Sequence, residues 1–195
     1  TGIDPRTGES GPIGDRAFLA HSKDIAPLLK LPPERLRDVV VSAYHSWDVS
    51  RHRIVSIDPE HSLVLLTGSY KSGFGRYTHR ERYYLSNFRE ALDAPGEWFL
   101  DRDGTLFYMP RPGEDMAKAE VVAPVPETLL RLAGKAGGAR VENILFQGLT
   151  FEYAAYLMPQ EGMWPGQAAA RVDAVVMADY ARNIVFADCS IRRTG

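Results

Sequence analysis

The chain has 195 residues, 23 Lys+Arg against 25 Asp+Glu, a formal net charge of -2, and 45% apolar and 25% charged residues. This is globular composition; it excludes a wholly disordered chain and a strongly basic nucleic-acid binder, and with no apolar run of about 18 residues it excludes a helical membrane span. The single cysteine, Cys189, excludes an intrachain disulfide framework and a cysteine-based zinc site.

Residues 1–15, rich in Gly, Pro, Ser and Thr, read as an irregular opening segment. With no initiator Met and no signal-peptide pattern, the sequence is expected to be a piece of a longer one. Residues 24–37 carry Pro27, Pro32 and Pro33, which allow at best a short helical turn, because Pro inside a helix costs about 3 kcal/mol. DVVVSAYHSWDV (38–49) and RHRIVSID (51–58) read as successive strands; a turn at Pro59-Glu60-His61 and the strand SLVLLTG follow, as an antiparallel meander. Residues 67–82 are polar, basic and glycine-bearing, and are expected to be a loop. Residues 83–94 have Leu85, Phe88 and Leu92 at helical spacing, which predicts a short helix. GEWFLDRDGTLFYMP predicts a hairpin with Gly104 in the left-handed turn position, and EVVAPV a closing strand. Residues 1–125 are therefore expected to form a β-rich, sandwich-like domain.

After Pro126 the sequence repeats. VENILFQGLTF (141–151) aligns with ARNIVFADCSI (181–191) at an offset of 40, matching Asn143 to Asn183, Ile144 to Ile184 and Phe146 to Phe186. Upstream, LLRLAG (129–134) aligns with AVVMAD (174–179) at an offset of 45. Strand-only units repeated without helices predict a parallel β-helix over residues 126–195. Asn suits the turn twice over. It tolerates a left-handed conformation, and its amide can bond to the Asn of the next rung. Alternation places Ile144, Phe146, Leu149 and Phe151 inward under Ile184, Phe186, Cys189 and Ile191, with Gln147, Thr150 and Glu152 outward against Ala187, Ser190 and Arg192. Asn183→Leu is expected to disturb its turn more than Asn87→Leu disturbs its loop. Two copies are fewer than the three or so that a solenoid needs, so further rungs are expected in the native protein.

YYLSNFREALDAPGEWFLDRDGTLFYMP and VENILFQGLTFEYA resemble stretches of large carbohydrate-active enzymes built on a right-handed parallel β-helix, those of glycoside hydrolase family 141 above all. The resemblance runs from about Arg16 to Gly195. It implies an all-β fold: a β-sandwich-like insertion domain, then the first rungs of the helix. It further implies an exported bacterial hydrolase, fucosidase- or xylanase-like, acting on plant or algal polysaccharide side chains, with no cofactor. Carbohydrate is the expected partner; no nucleic acid, membrane span or obligate protein partner is expected. The expected localisation is secreted, periplasmic or at the cell surface.

Glycosidases commonly use two carboxyl groups, about 5 Å apart in retaining and about 6.5–9.5 Å apart in inverting enzymes. Stacked rungs about 4.8 Å apart supply the retaining distance at matched outward positions. No such pair occurs in the two copies: Glu152 meets Arg192, Asp188 meets Gly148, and Asp179 is expected to face Gly134. No catalytic residue is therefore assigned in this chain; the carboxylates are expected on later rungs. The candidate substrate-binding segment is the loop 153–168, through Tyr156, Gln160, Glu161, Trp164 and Gln167, since aromatic faces stack on sugar rings and amides bond hydroxyls. The same loop, through Met158, Met163 and Trp164, suits packing of the insertion domain onto the helix better than it suits a cleft wall. His45 and Trp47 read as core or interface; His52, His61 and His79 match no metal spacing; Lys71, Arg76, Arg80 and Arg82 read as a solvated loop. Gly73-Phe74-Gly75 lacks the third glycine of a dinucleotide fingerprint. Two other readings stay open: a noncatalytic β-helix that binds polysaccharide, and a polysaccharide lyase.

Overall fold

The computed structural model describes residues 2–3, 10–11, 13–71, 73–75, 81–164, 166 and 172–194. The chain divides into two compact units: Thr1–Ala117 with Met158–Ala170, and Lys118–Leu157 with Arg171–Gly195. Both are built mostly of strands, and among the described residues no helix is long and apolar enough to cross a membrane.

The first unit opens with the two-residue strands β1 (Gly2–Ile3) and β2 (Ser10–Gly11), paired antiparallel. It continues through β3 (Ala17–Leu19), α1 (Ser22–Ile25), a 3-10 turn at Leu28–Lys30, α2 (Pro33–Leu36), β4 (Val40–Tyr44), β5 (Val49–Asp58), β6 (Leu63–Leu66) and β7 (Arg82–Ser86). A 3-10 turn at Arg89–Ala91 leads to the hairpin β8 (Trp98–Leu100) and β9 (Leu106–Tyr108). Strands β3 to β7 form one antiparallel sheet in the order β3-β6-β5-β4-β7. The prolines set the helical pieces. Pro33 takes the first helical position of α2, where its missing N–H is no loss, and Pro32 before it stays extended.

The core lies between the sheet and these short helical pieces. Ile25 and Leu28 pack with Val39, Val41, Ile54, Val64 and Leu66, all buried, and Leu85 and Phe88 border them. The expected sandwich is thus corrected: helical turns, not a second sheet, cover the core. Three local expectations are also corrected. The first strand stops at Tyr44; His45 N–H bonds the Asp48 carbonyl at 3.0 Å, closing a hairpin turn, and β5 begins at Val49. Residues 83–94 are not a helix: Tyr83–Ser86 pair with β4, because Leu85 at the sheet register reaches the same core its helical spacing suggested. Residues 120–125 form no strand and are exposed. The hairpin is as expected, with Gly104 at φ +87°. Arg102 bonds Asp38 at 2.6 Å and Arg35 pairs with Asp101, tying the hairpin to α2 and the residues after it.

The second unit contains β10 (Leu130–Ala133), β11 (Val141–Gln147), β12 (Thr150–Ala154), β13 (Val176–Asp179), β14 (Ala181–Ala187) and β15 (Ser190–Thr194). They pair in parallel, β10 with β13, β11 with β14 and β12 with β15. Ile144 opposes Ile184 and Phe151 opposes Ile191, the register of the 40-residue repeat. The upstream pair is corrected by one residue. Leu130 opposes Val176 and Ala133 opposes Asp179, so Asp179 faces Ala133 and not Gly134.

The backbone turns left-handed at matched places in the two copies: Asn143 and Asn183 at φ +59° and +54°, Gly148 and Asp188 at +67° and +54°, Tyr153 and Arg193 at +62° and +51°. Asn183 Nδ2 donates to Asn143 Oδ1 at 2.9 Å, forming the expected amide ladder. The third turn was not foreseen. There Arg193 bonds the Tyr153 hydroxyl and lies over its ring at 5.3 Å, a substitute for the amide pair. Asn87 also sits at φ +64°, and its Nδ2 donates to the Asp38 carbonyl at 2.9 Å, so its turn makes the same demand as that of Asn183. Phe146 stacks on Phe186 at 5.0 Å between ring centroids. Phe186 and Ile191, with a coil on one side among the described residues, are 42% and 57% exposed; Leu149, expected inward, is 43% exposed.

Candidate functional site

In the second unit, charges at matched outward positions pair with opposite sign. Glu142 meets Arg182 at 2.9 Å and Glu152 meets Arg192 at 2.6 Å; Arg131 lies 3.9 Å from Asp179 on the diagonal, since its direct partner is Met177. Among the described residues, no two carboxylates oppose each other in these strand pairs. Tyr156 lies in this unit.

The other described candidates, Gln160, Glu161 and Trp164, lie in the first unit, in a segment that pairs with β5 through Met163. Met163 exchanges two backbone hydrogen bonds with Arg51, at 2.8 and 2.6 Å. The Arg53 guanidinium donates to the carbonyls of Met158, Pro159 and Gln160. The Glu161 carbonyl accepts from the Thr67 hydroxyl at 3.1 Å and from His52 Nδ1 at 3.2 Å. Backbone atoms thus dock the segment and leave the Gln160 and Glu161 side chains exposed. Trp164 is engaged: its Nε1 donates to Asp48 Oδ2 at 2.5 Å, and its ring meets Tyr70 edge-on at 5.7 Å. Gln167 lies outside the described residues, as do Arg76, His79 and Arg80.

His52 is 2% exposed. Because Nδ1 donates to a carbonyl, Nε2 carries the lone pair, and it has no hydrogen-bond partner. Burial holds the imidazole below its usual pKa, against the smaller raising effect of the Glu161 carbonyl. Gly162, at φ +88°, approaches this ring and the Arg51 carbonyl so closely that a Cβ would overlap both.

Beside the loop, Glu81, His45 and Ser50 form a hydrogen-bonded chain. Glu81 Oε2 lies 3.0 Å from His45 Nδ1, and His45 Nε2 lies 2.8 Å from Ser50 Oγ. The carboxylate can only accept, so Nδ1 carries a proton, and in the neutral ring Nε2 then accepts from the serine hydroxyl. The order is that of an acid–base–nucleophile triad. The function is not, because Ser50 is fully buried and does not line the cleft that Glu81 borders, so no substrate carbonyl can reach Oγ. The His45 ring, stacked on Tyr70 at 3.6 Å, instead fixes the Glu81 carboxylate.

Glu81 in turn lines an open cleft of about 1300 Å³ in this unit, with Asp24, Tyr83, His21, Phe18 and Phe74 among its walls. The Tyr83 hydroxyl donates to Asp24 Oδ2 at 2.8 Å and accepts from the His21 N–H at 3.2 Å. Burial, then the bond to Asp24, pushes the phenol up to about 12, so it stays protonated at any physiological pH. The sequence reading missed Glu81, Ser50, Asp24 and Tyr83. Only polar residues at the core-facing positions 50 and 52 of a strand hinted at a buried network.

Among the described residues no group of three or more His, Cys, Asp or Glu side chains is placed to hold a metal ion. Cys189 is half-buried and its Sγ lies 3.5 Å from the Phe146 carbonyl, the place of a small packing residue.

No family model matches the chain, and no curated protein matches it. Among solved structures, it is similar to one titled "Glycoside hydrolase", with a TM-score of 0.73 at 23% identity over 93% of this chain. The chain spans 39% of that structure's length. At that level of identity the likeness speaks to fold: this chain has a glycoside-hydrolase-like, mostly β fold.

Proposed function

We propose that the chain is part of a secreted bacterial glycoside hydrolase acting on plant or algal polysaccharide, fucosidase- or xylanase-like. In this reading residues 1–125 are the inserted β-rich domain, and residues 126–195 are the first coils of a right-handed parallel β-helix. The observation that carries it is the structural likeness to a glycoside hydrolase over 93% of the chain. The 40-residue register of β11–β14 and β12–β15 supports the β-helix part. Glu142 and Glu152 are each paired with an arginine, which supports a reading in which the acid and base stand on further coils.

The test is release of reducing sugar from arabinoxylan and from fucosylated pectin, comparing the 195-residue chain with the product of the complete reading frame. The complete product should release sugar and the shorter chain should not. If the complete product releases none, the hydrolase reading fails. Retention of that inactive product in a polysaccharide-loaded gel then establishes the noncatalytic binding reading, which the arginine-paired glutamates already favour for these two coils.

A further inference from the structure

We propose that the cleft of the first unit is a saccharide-binding site, with Glu81 as its central hydrogen-bond acceptor. The proposal rests on the carbohydrate reading above and adds a place and a set of groups to it.

Glu81 carries the argument. Its side chain is 8% exposed, and it lines the cleft. Oε2 is saturated, accepting from His45 Nδ1 at 3.0 Å and from the Gly75 N–H at 3.1 Å. Oε1 is buried and has no hydrogen-bond partner. Buried polar atoms are nearly always paired, and an unpaired carboxylate oxygen calls for a missing donor. Its orientation is not accidental, since Ser50 holds His45, Tyr70 stacks on His45, and His45 holds the carboxylate. Such support is what a recognition group needs to be fixed before its ligand arrives.

The rest of the wall selects the ligand. Phe18 sits 5.7 Å from Phe74 and 5.0 Å from Tyr83, giving a continuous aromatic surface. Asp24, held by the Tyr83 hydroxyl, adds a second acceptor. Arg82 also lines the cleft and offsets part of the charge of the two carboxylates, which disfavours a simple cation. Aromatic faces beside fixed acceptors and donors suit a neutral sugar, whose ring has an apolar face and a rim of hydroxyls. About 1300 Å³ exceeds the roughly 300–1,000 Å³ of ordinary ligand pockets and leaves room for more than one sugar ring.

The experiment is a ¹H–¹⁵N NMR titration of the 195-residue chain with xylohexaose, cellohexaose and L-fucose. We expect saturable shifts at the Gly14 and Gly75 amides with at least one of them, at a Kd on the order of 1 mM or tighter. Glu81→Gln should weaken that binding about tenfold. Gly14→Trp serves as the second variant: Gly14 lines the cleft, and a Cβ there meets no atom within 4 Å, so the indole can fill the cleft without disturbing the fold. It should abolish the shifts. Binding unchanged in both variants overturns the proposal, as does the absence of saturable shifts with all three sugars. Shifts confined to Met163 and Trp164 also overturn it while leaving the carbohydrate reading intact, and sugar release by the complete protein judges that reading separately.

Discussion

The amide ladder can be separated into its two physical parts by substitution at Asn183. The residue does two things: it occupies φ +54°, and its Nδ2 donates to Asn143 Oδ1 at 2.9 Å. Asn183→Gly removes the hydrogen bond but keeps the left-handed backbone free of strain. An exposed neutral hydrogen bond contributes about 0.5–1.5 kcal/mol, so the cost should be about 1 kcal/mol. Asn183→Ala removes the same bond and adds the left-handed penalty of roughly 1–2 kcal/mol for a residue with a Cβ, giving about 2 kcal/mol or more. The two units need not unfold together, so a global midpoint is the wrong observable. Native-state hydrogen exchange at the amides of β11 and β14 reads the second unit alone. One and two kcal/mol correspond to roughly fivefold and thirtyfold faster exchange there. Combining Asn143→Ala with Asn183→Ala isolates the bond as a coupling energy. Equal exchange in the Gly and Ala variants would refute the backbone argument, and zero coupling would refute the ladder.

Three further outcomes are expected. Docking of residues 158–164 on β5 should weaken in acid: His52 has a folded pKa below its unfolded value, so its contribution is complete above about pH 6.5 and is lost as pH falls below it, by up to about 1.4 kcal/mol per pH unit. Trp164 fluorescence against pH should show this, and His52→Phe should flatten the profile. Gly162→Ala should release the same segment at neutral pH at a cost of at least about 2 kcal/mol, because its Cβ overlaps His52 and the Arg51 carbonyl at φ +88°; unchanged Met163 amide protection would contradict this. Leu28→Ala should destabilise the first unit by about 2–5 kcal/mol, since Leu28 is fully buried between the helical turns and the sheet; urea unfolding followed at the tryptophans measures it.

What could be read directly from residue order is what depends on neighbours close in sequence or on an exact repeat. Gly104 marked its hairpin because a left-handed turn position selects glycine. The matched Asn143 and Asn183 announced both the parallel register and the turn, since stacked strands put residues 40 apart side by side. The mostly β character followed from β-branched and aromatic runs. Where spacing was ambiguous, tertiary packing decided. Leu85 sits at a helical interval from Phe88 and Leu92, yet pairing with β4 satisfies more backbone groups than an isolated short helix can. The upstream strand pair slipped by one residue because apolar letters alone matched nearly as well at either offset. The cleft and the Glu81–His45–Ser50 chain left almost no trace in the sequence: His45 and Glu81 stand 36 residues apart and meet only because β4 and β7 are neighbours in the sheet. Local preferences act through the backbone of adjacent residues and survive in the one-dimensional order, whereas a buried polar network depends on which distant strands the core draws together.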